Sequence, residues 1–246
     1  MNKTFTMDDV QIMYEDNSII VVNKPQNMPS QSDETGDTDL LSLLKEYVKV
    51  KYNKAGEAYV GLVHRLDRPT GGVMVFARNS KCAARLCEQI KDGTMEKTYY
   101  TVLVGAPRDA KGTLVTYLKK NSLTNVVYVA TSGTVDAKRA ELSYKVLENF
   151  HDVVSLVEVK LETGRSHQIR VQFSSYNTPV FGDAKYGGDK LAKGYNMALW
   201  AVKLCFEHPV TKEKMVFVSY PPQEKEPWSR FNLNKHLDVF RDNDDE

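Results

Sequence analysis

The chain has 246 residues, 41% of them hydrophobic, with 33 lysines and arginines against 32 aspartates and glutamates and a formal net charge of +1. A chain of that size and composition can bury a substantial core in one large globular domain or two small ones. No apolar run approaches the roughly eighteen residues a spanning helix needs, and no basic segment leads into an apolar one at the start, which argues against a membrane protein or secretory leader and for the cytoplasm.

In chain order, Ile19 to Val22 reads as a strand, and the polar stretch from Gln26 to Asp39 as a long loop. Apolar positions 40, 41, 43, 44, 47 and 48 then mark one face of a helix. Tyr59 to Val63 and Val73 to Ala77 are strand candidates on either side of a Pro-Gly turn. Ser80 caps a helix to Ile90 with Ala83, Leu86, Cys87 and Ile90 as its apolar stripe. Thr98 to Val104 is rich in β-branched and aromatic residues, as buried strands are. Gly112 to Leu118, Asn125 to Ala130, Ala140 to Leu147 and Val153 to Leu161 continue as short strands, followed by a helix from about Ser166 to Ser174. Met197 to Phe206 and Met215 to Ser219 complete the strands and pair around His208 to Lys214. Many strands with few helices between them predict an α+β fold, a largely antiparallel sheet with helices packed against it.

Cysteine and charge narrow the function. Cys82, Cys87 and Cys205 lack metal-ligand spacing, so no structural metal and no disulfide is expected, and the first two read as buried thiols on a helix. Residues 1–40 hold eight acids and two lysines, and the tail from Asp242 to Glu246 holds four acids, which leaves residues 41–241 at +11. A basic body between acidic ends is compatible with a polyanionic partner such as RNA, and the tail reads as a solvated, flexible end.

Two segments carry chemistry. His64-Arg65-Leu66-Asp67-Arg68-Pro69-Thr70-Gly71-Gly72-Val73 places a carboxylate between two arginines and closes on a flexible turn, so Asp67 is a candidate nucleophile or base. Pro69 restricts Arg68, and the glycines permit positive φ and close approach of a substrate. The same residues also describe a surface turn with a simple ion pair. Leu161-Glu162-Thr163-Gly164-Arg165-Ser166-His167-Gln168-Ile169-Arg170 ends a β-rich run and opens a short helix on which His167 and Arg170 share a face. An arginine offered there can grip a carboxylate or phosphate, or can belong to a solvated basic face.

In this order, these segments resemble the RluA family of pseudouridine synthases. The resemblance extends to Tyr14-Glu15-Asp16 with Ile19 to Pro25, to Lys97-Thr98-Tyr99, to Gly182-Asp183-Ala184-Lys185-Tyr186-Gly187 and to His208-Pro209. It implies a long mixed, mostly antiparallel sheet with flanking helices and a central RNA-binding cleft, without the separate N-terminal S4-type domain of many relatives. It implies RNA pseudouridine synthase activity on structured RNA, an rRNA or tRNA stem-loop, by one catalytic domain over residues 1–246 that needs no cofactor. No metal and no obligate protein partner are expected, and with nothing in the sequence that reads out oligomeric state a monomer is the default. Asp67 matches the catalytic aspartate, Tyr99 the tyrosine that lies against the target uracil, and Arg170 the arginine that pairs with the carboxylate. Arg65 matches the residue that fills the stack when the base is flipped out. Arg68, Lys97, Arg165 and Lys185 are candidates to contact RNA phosphates, and His64 is a candidate either to contact a phosphate or to orient Arg65, or is a satisfied core histidine.

The chain departs from the family pattern at three places. Gly71 stands where the family usually has serine, Gln26-Asn27-Met28 where it commonly has a small residue and glycine, and Leu199-Trp200-Ala201 where it often has Leu-His-Ala. These bear on substrate fit and not on reaction type. A binding module that has kept the fold without catalysis is the alternative reading, opposed by the joint presence of Asp67, Tyr99 and Arg170. A metal-dependent hydrolase built on Asp67, His64 and His167 fails on ligand spacing.

Overall fold

A computed structural model describes residues 4–188 and 194–237, so the acidic tail at 242–246 lies outside the described residues. In chain order come β1 (Gln11–Glu15), β2 (Ile19–Lys24), α1 (Leu40–Lys51), β3 (Gly61–Leu62), β4 (Gly71–Ala77), α2 (Ser80–Lys91) and β5 (Glu96–Val104). The long strands β6 (Lys111–Asn121), β7 (Val126–Ala130), β8 (Lys138–Phe150) and β9 (Val154–Leu161) follow, then α3 (Gln168–Ser175), β10 (Leu199–Glu207), β11 (Lys214–Val218) and α4 (Leu233–Leu237). The α+β class expected from the strand-rich pattern is observed. No helix among the described residues is long and apolar enough to cross a membrane.

The chain divides into two compact units. The first comprises Met1–Glu96 and Ala201–Ser219. Its strands β1, β2 and β4 run antiparallel, with Ile19 opposite Ala77 and Lys24 opposite Gly72, and Ile19, Ile20, Val21 and Val22 are fully buried. β10 and β11 form a hairpin, as expected around His208 to Lys214. The strand expected at Tyr59 to Val63 shrinks to Gly61–Leu62, although Ala58 and Val60 are buried.

Helix α2 corrects two readings. Its cap is Asn79, whose side chain accepts from Cys82 N at 2.9 Å, and not Ser80. Its buried residues are Cys82 and Leu86, four apart on one stripe, whereas Cys87 lies a further 100° round the helix and is exposed. The apolar stripe therefore includes Cys82 in place of Cys87.

The second unit comprises Lys97–Trp200 and Tyr220–Glu246. Its strands lie in the order β5-β9-β8-β6-β7, each antiparallel to its neighbour. Helix α3 lies against one face, where Val171 packs on Leu118, Val127 and Ala140, and Gln172 Nε2 donates to Leu114 O at 3.0 Å. α3 starts at Gln168, two residues later than expected, because His167 takes a left-handed conformation (φ 53°) that a right-handed helix cannot include.

Gly72 is the tightest point of the first unit. Its φ is +117°, and a methyl group there would fall 2.6 Å from Ala201 N and closer still to the Ala201 carbonyl oxygen. The close approach that the glycine permits is thus to the backbone of β10, not to a substrate. Gly72→Ala is expected to destabilise the protein by roughly 3 kcal/mol or more in urea unfolding, since both strain and backbone overlap oppose it. Gly133→Ala, where nothing lies within 4 Å, should change stability by less than about 0.5 kcal/mol.

Candidate active site

Asp67 opens a tight turn closed by Thr70 N donating to Asp67 O at 2.9 Å. Every carbonyl from residue 66 to residue 69 has a donor. Leu66 O accepts from Ser30 Oγ (2.7 Å), Arg68 O from Asn27 N (2.8 Å) and Lys24 Nζ (3.2 Å), and Pro69 O from Gln26 Nε2 (2.9 Å). Except for Thr70 N, these donors come from the end of β2 and the segment after it. A turn so fully bonded cannot rock without breaking several hydrogen bonds, and the backbone that presents the carboxylate is held in one place.

Lys24 is the residue that sequence reasoning missed here. It is fully buried, and its Nζ also donates to Met28 O at 2.7 Å and Pro25 O at 3.1 Å, so three carbonyls surround one ammonium group. The available signal was a lysine closing an otherwise apolar strand just before Pro25.

The neighbours of Asp67 divide. Arg65 is exposed. Arg68 is clasped by the 33–37 segment: its Nη2 lies 2.8 Å from Asp33 Oδ2 and its Nη1 bonds Asp37. A phosphate reaching Arg68 would compete with two carboxylates. His64 is half-buried, and its Nε2 accepts from Val75 N at 3.1 Å, which ties it to β4 and places the proton of the neutral ring on Nδ1.

In the second unit, Tyr99 is 6% exposed on β5, opposite Val159. Arg170 is buried on α3, and Asp183 grips it with two parallel bonds, Nε to Oδ2 at 2.7 Å and Nη2 to Oδ1 at 2.9 Å. Its guanidinium carbon lies 5.1 Å from the centre of the Tyr186 ring. Tyr186 Oη in turn accepts from Val127 N at 2.9 Å and meets His167 Nδ1 at 2.6 Å. Asp183 and Tyr186, both from the Gly182 to Gly187 motif, thus back Arg170. Lys97 Nζ sits beside Gly164, 3.8 Å from where a Cβ would stand, and burial lowers its pKa. Arg165 and Lys185 are exposed, with Arg165 Nε donating to Arg139 O (3.0 Å) and Lys185 Nζ to Asn125 O (2.9 Å).

Comparison with known proteins decides what this chemistry belongs to. The family model for RNA pseudouridylate synthase matches residues 18–175. A protein of Bacillus subtilis (strain 168) named uncharacterized RNA pseudouridine synthase YhcT is 36% identical over 211 residues, 85% of this chain and 67% of the relative. Ribosomal large subunit pseudouridine synthase D of Vibrio cholerae is 32% identical over 230 residues, 87% of this chain and 68% of the relative. The chain belongs to the RluA family of RNA pseudouridine synthases. Among solved structures, human RNA pseudouridylate synthase domain containing 1 superposes with a TM-score of 0.73 at 22% identity, covering 97% of each chain, which establishes the fold.

As an RNA pseudouridine synthase, the chain breaks family pattern after Pro25 for a visible reason. Asn27 has φ 69°, a left-handed conformation that glycine takes freely and asparagine tolerates best among other residues. Gln26 beside it supplies the donor to Pro69 O. The departure preserves the backbone shape and adds a hydrogen bond to the turn.

Electrostatics sharpen the role of Lys24. Burial lowers its pKa to about 7, while the Asp67 charge opposes that fall and the Arg68 charge adds to it. The folded value lies below the unfolded one, so between the two the unfolded chain binds more protons and stability contributed at this site rises with pH from about 7 towards 10.5. Wild type measured against Lys24→Met by urea unfolding should therefore gain about 1 kcal/mol or more between pH 6.5 and 9. A constant difference across that range would show that Lys24 titrates as an ordinary lysine.

Proposed function

We propose that this synthase isomerises uridine in a structured RNA, with a ribosomal RNA stem-loop as the favoured substrate, acting as a cytoplasmic monomer through residues 1–246 as one catalytic domain. The observation that carries the reading is the fully hydrogen-bonded turn presenting Asp67. The ribosomal substrate is supported by the name of the Vibrio cholerae relative.

The reaction breaks the bond from uracil N1 to ribose C1′ with its electron pair passing to N1. The base then turns, C5 bonds to C1′, the proton leaves C5 and N1 gains one. Asp67 acts as the carboxylate, either by attacking C1′ or by assisting a glycal-like sugar intermediate. Arg170 is assigned to pair with that carboxylate, and Asp183, which already holds its fork, is assigned to aim it. Asp183 stays charged for this purpose: burial alone would raise its pKa, but Arg170 and the N–H groups of Lys185 and Tyr186 bring it below the usual carboxylate value. Tyr99 is assigned to the face of the target uracil, as a stacking platform with a hydroxyl near C5.

A stacked uridine hides its glycosidic bond, so the enzyme must flip it out at a cost of a few kcal/mol. Arg65, exposed and two residues before Asp67, is assigned to fill the vacated position with its planar guanidinium. Lys97, Arg165 and Lys185 are assigned to phosphates. Arg68 joins them only if the RNA displaces Asp33 and Asp37, and His64 orients the motif from its anchor on β4.

Asp67→Asn is expected to abolish pseudouridine formation while leaving RNA affinity within about tenfold, because the amide keeps the shape and removes the reactive oxygen. Activity above about a tenth of wild type would take Asp67 out of its role. Arg65→Ala should lose more activity on a structured stem-loop than on an RNA with a poorly stacked target, where extrusion costs less. Arg65→Lys should recover salt-dependent binding without the full rate on the stem-loop, since it keeps charge but not the plane. Equal losses on both RNAs, with full rescue by lysine, would reduce Arg65 to a phosphate contact.

A further inference from the structure

The face of the second unit's sheet that looks away from α3 is not accounted for by the catalytic assignment. Strand alternation turns Leu114 and Leu118 of β6 toward α3 and leaves Lys111, Val115, Tyr117 and Lys119 on the opposite side. Register then defines their neighbours. Lys145 stands opposite Lys111, Arg139 opposite Tyr117, and Tyr128 opposite Lys119. On β9, Lys160 stands opposite Ser143. Lys111, Tyr128, Arg139, Lys145 and Lys160 are all exposed.

Two features of this face do not serve folding. Like charges directly opposed across an antiparallel pair destabilise it, yet Lys111 faces Lys145, and no carboxylate opposes Lys111 in register. Large aromatic rings exposed on a sheet do not contribute to the core, yet Tyr128 is 44% exposed beside Lys119. Five cations meet two acids here, Glu141 and Glu158, and Glu141 is already engaged by Arg139 at 2.5 Å.

We propose that this face is a second RNA surface, which holds an unpaired stretch of the substrate RNA on the side of the sheet opposite α3. The proposal rests on the reading of the chain as an RNA-modifying enzyme and adds a site to it. Alternating rings and cations match the alternation of bases and phosphates in a single strand: Tyr117 and Tyr128 offer stacking platforms, with Arg139 and Lys119 directly across from them. A duplex is read through its grooves and backbone and would leave flat tyrosine faces unused, so an unpaired strand fits better. Strand spacing of about 4.8 Å makes the four strands roughly 14 Å wide, room for a few nucleotides.

The test uses the full-length protein and a uridine-free oligoadenylate of about twelve nucleotides, which binds but cannot react. The double charge reversal Lys111→Glu with Lys145→Glu should weaken its binding by about tenfold or more and reduce the salt dependence of log Kd by about 1.4, the value for two single-strand phosphate contacts. Tyr128→Ser should weaken binding by about fivefold or more with the salt dependence unchanged, as loss of one stacked base predicts. Tyr128→Ser should unfold at the wild-type midpoint, the charge-reversed protein should still unfold in one cooperative transition, and both should release tritium from C5-labelled total RNA within about twofold of wild type at saturation. Unchanged oligonucleotide affinity in the charge-reversed protein would overturn the proposal and leave the cations to another partner, such as an acidic protein surface. Wild-type affinity in Tyr128→Ser would overturn it as a single-strand site. The tritium assay reports the enzymatic reading separately: a wild-type protein that releases none refutes that reading, while the titration still decides this one.

Discussion

The backbone of one four-residue turn carries the catalytic argument, because a carboxylate is useful only where the chain behind it cannot move. Leu66 to Pro69 lie outside any strand and cannot use a ladder for their carbonyls. The segment from Lys24 to Ser30 substitutes for one, supplying a backbone N–H, an amide, a hydroxyl and an ammonium. The ammonium is the costly member. Burying Lys24 completely is unfavourable by itself, and it is tolerated because three carbonyls and the nearby Asp67 charge meet it. A neutral amine has only two hydrogens to give, so the three-carbonyl arrangement is that of the charged form.

The second unit solves a similar problem with the opposite sign. Arg170 must hold its fork steady in a buried place, and Asp183 meets two of its nitrogens while two backbone N–H groups steady Asp183. Tyr186 covers the guanidinium and ties His167 through its hydroxyl, which places the left-handed residue at the start of α3 in the same network. Each unit therefore immobilises the segment or side chain proposed for the chemistry, the Asp67 turn in one and Arg170 in the other, with neighbours from a separate stretch of chain.

Much of this was legible in the sequence. Runs rich in β-branched and aromatic residues between polar turns announce β5, β6, β8 and β9, and the motif around Asp67 points to the family. What stayed hidden depends on partners far along the chain. Nothing local says that Lys24 reaches the carbonyl of a residue 44 positions away, or that Arg68 will be met by Asp33 and Asp37 instead of a phosphate. Boundaries failed for local reasons instead. Asparagine and serine are both good caps, so Asn79-Ser80 is ambiguous by one residue, and no composition signal reveals that His167 takes positive φ.

Net charge was the least informative quantity of all, and the structure shows why. Six of the eight acids among residues 1–40 have internal duties. Asp9 and Asp39 cap helical turns, Asp16 bonds two backbone N–H groups and His208, Glu15 meets Arg78 and Lys51, and Asp33 and Asp37 hold Arg68. Glu15, Asp33 and Asp37, which meet lysine or arginine, project little field beyond their partners, because opposite charges a few ångströms apart cancel at distance. A sum near zero is therefore compatible with a strongly basic face elsewhere. The decisive pattern is which side of a strand the lysines occupy. On β6 the buried positions facing α3 are Leu114 and Leu118 while the opposite face carries Lys111 and Lys119, so the charge a polyanion would meet there is set by period two along single strands and not by the total.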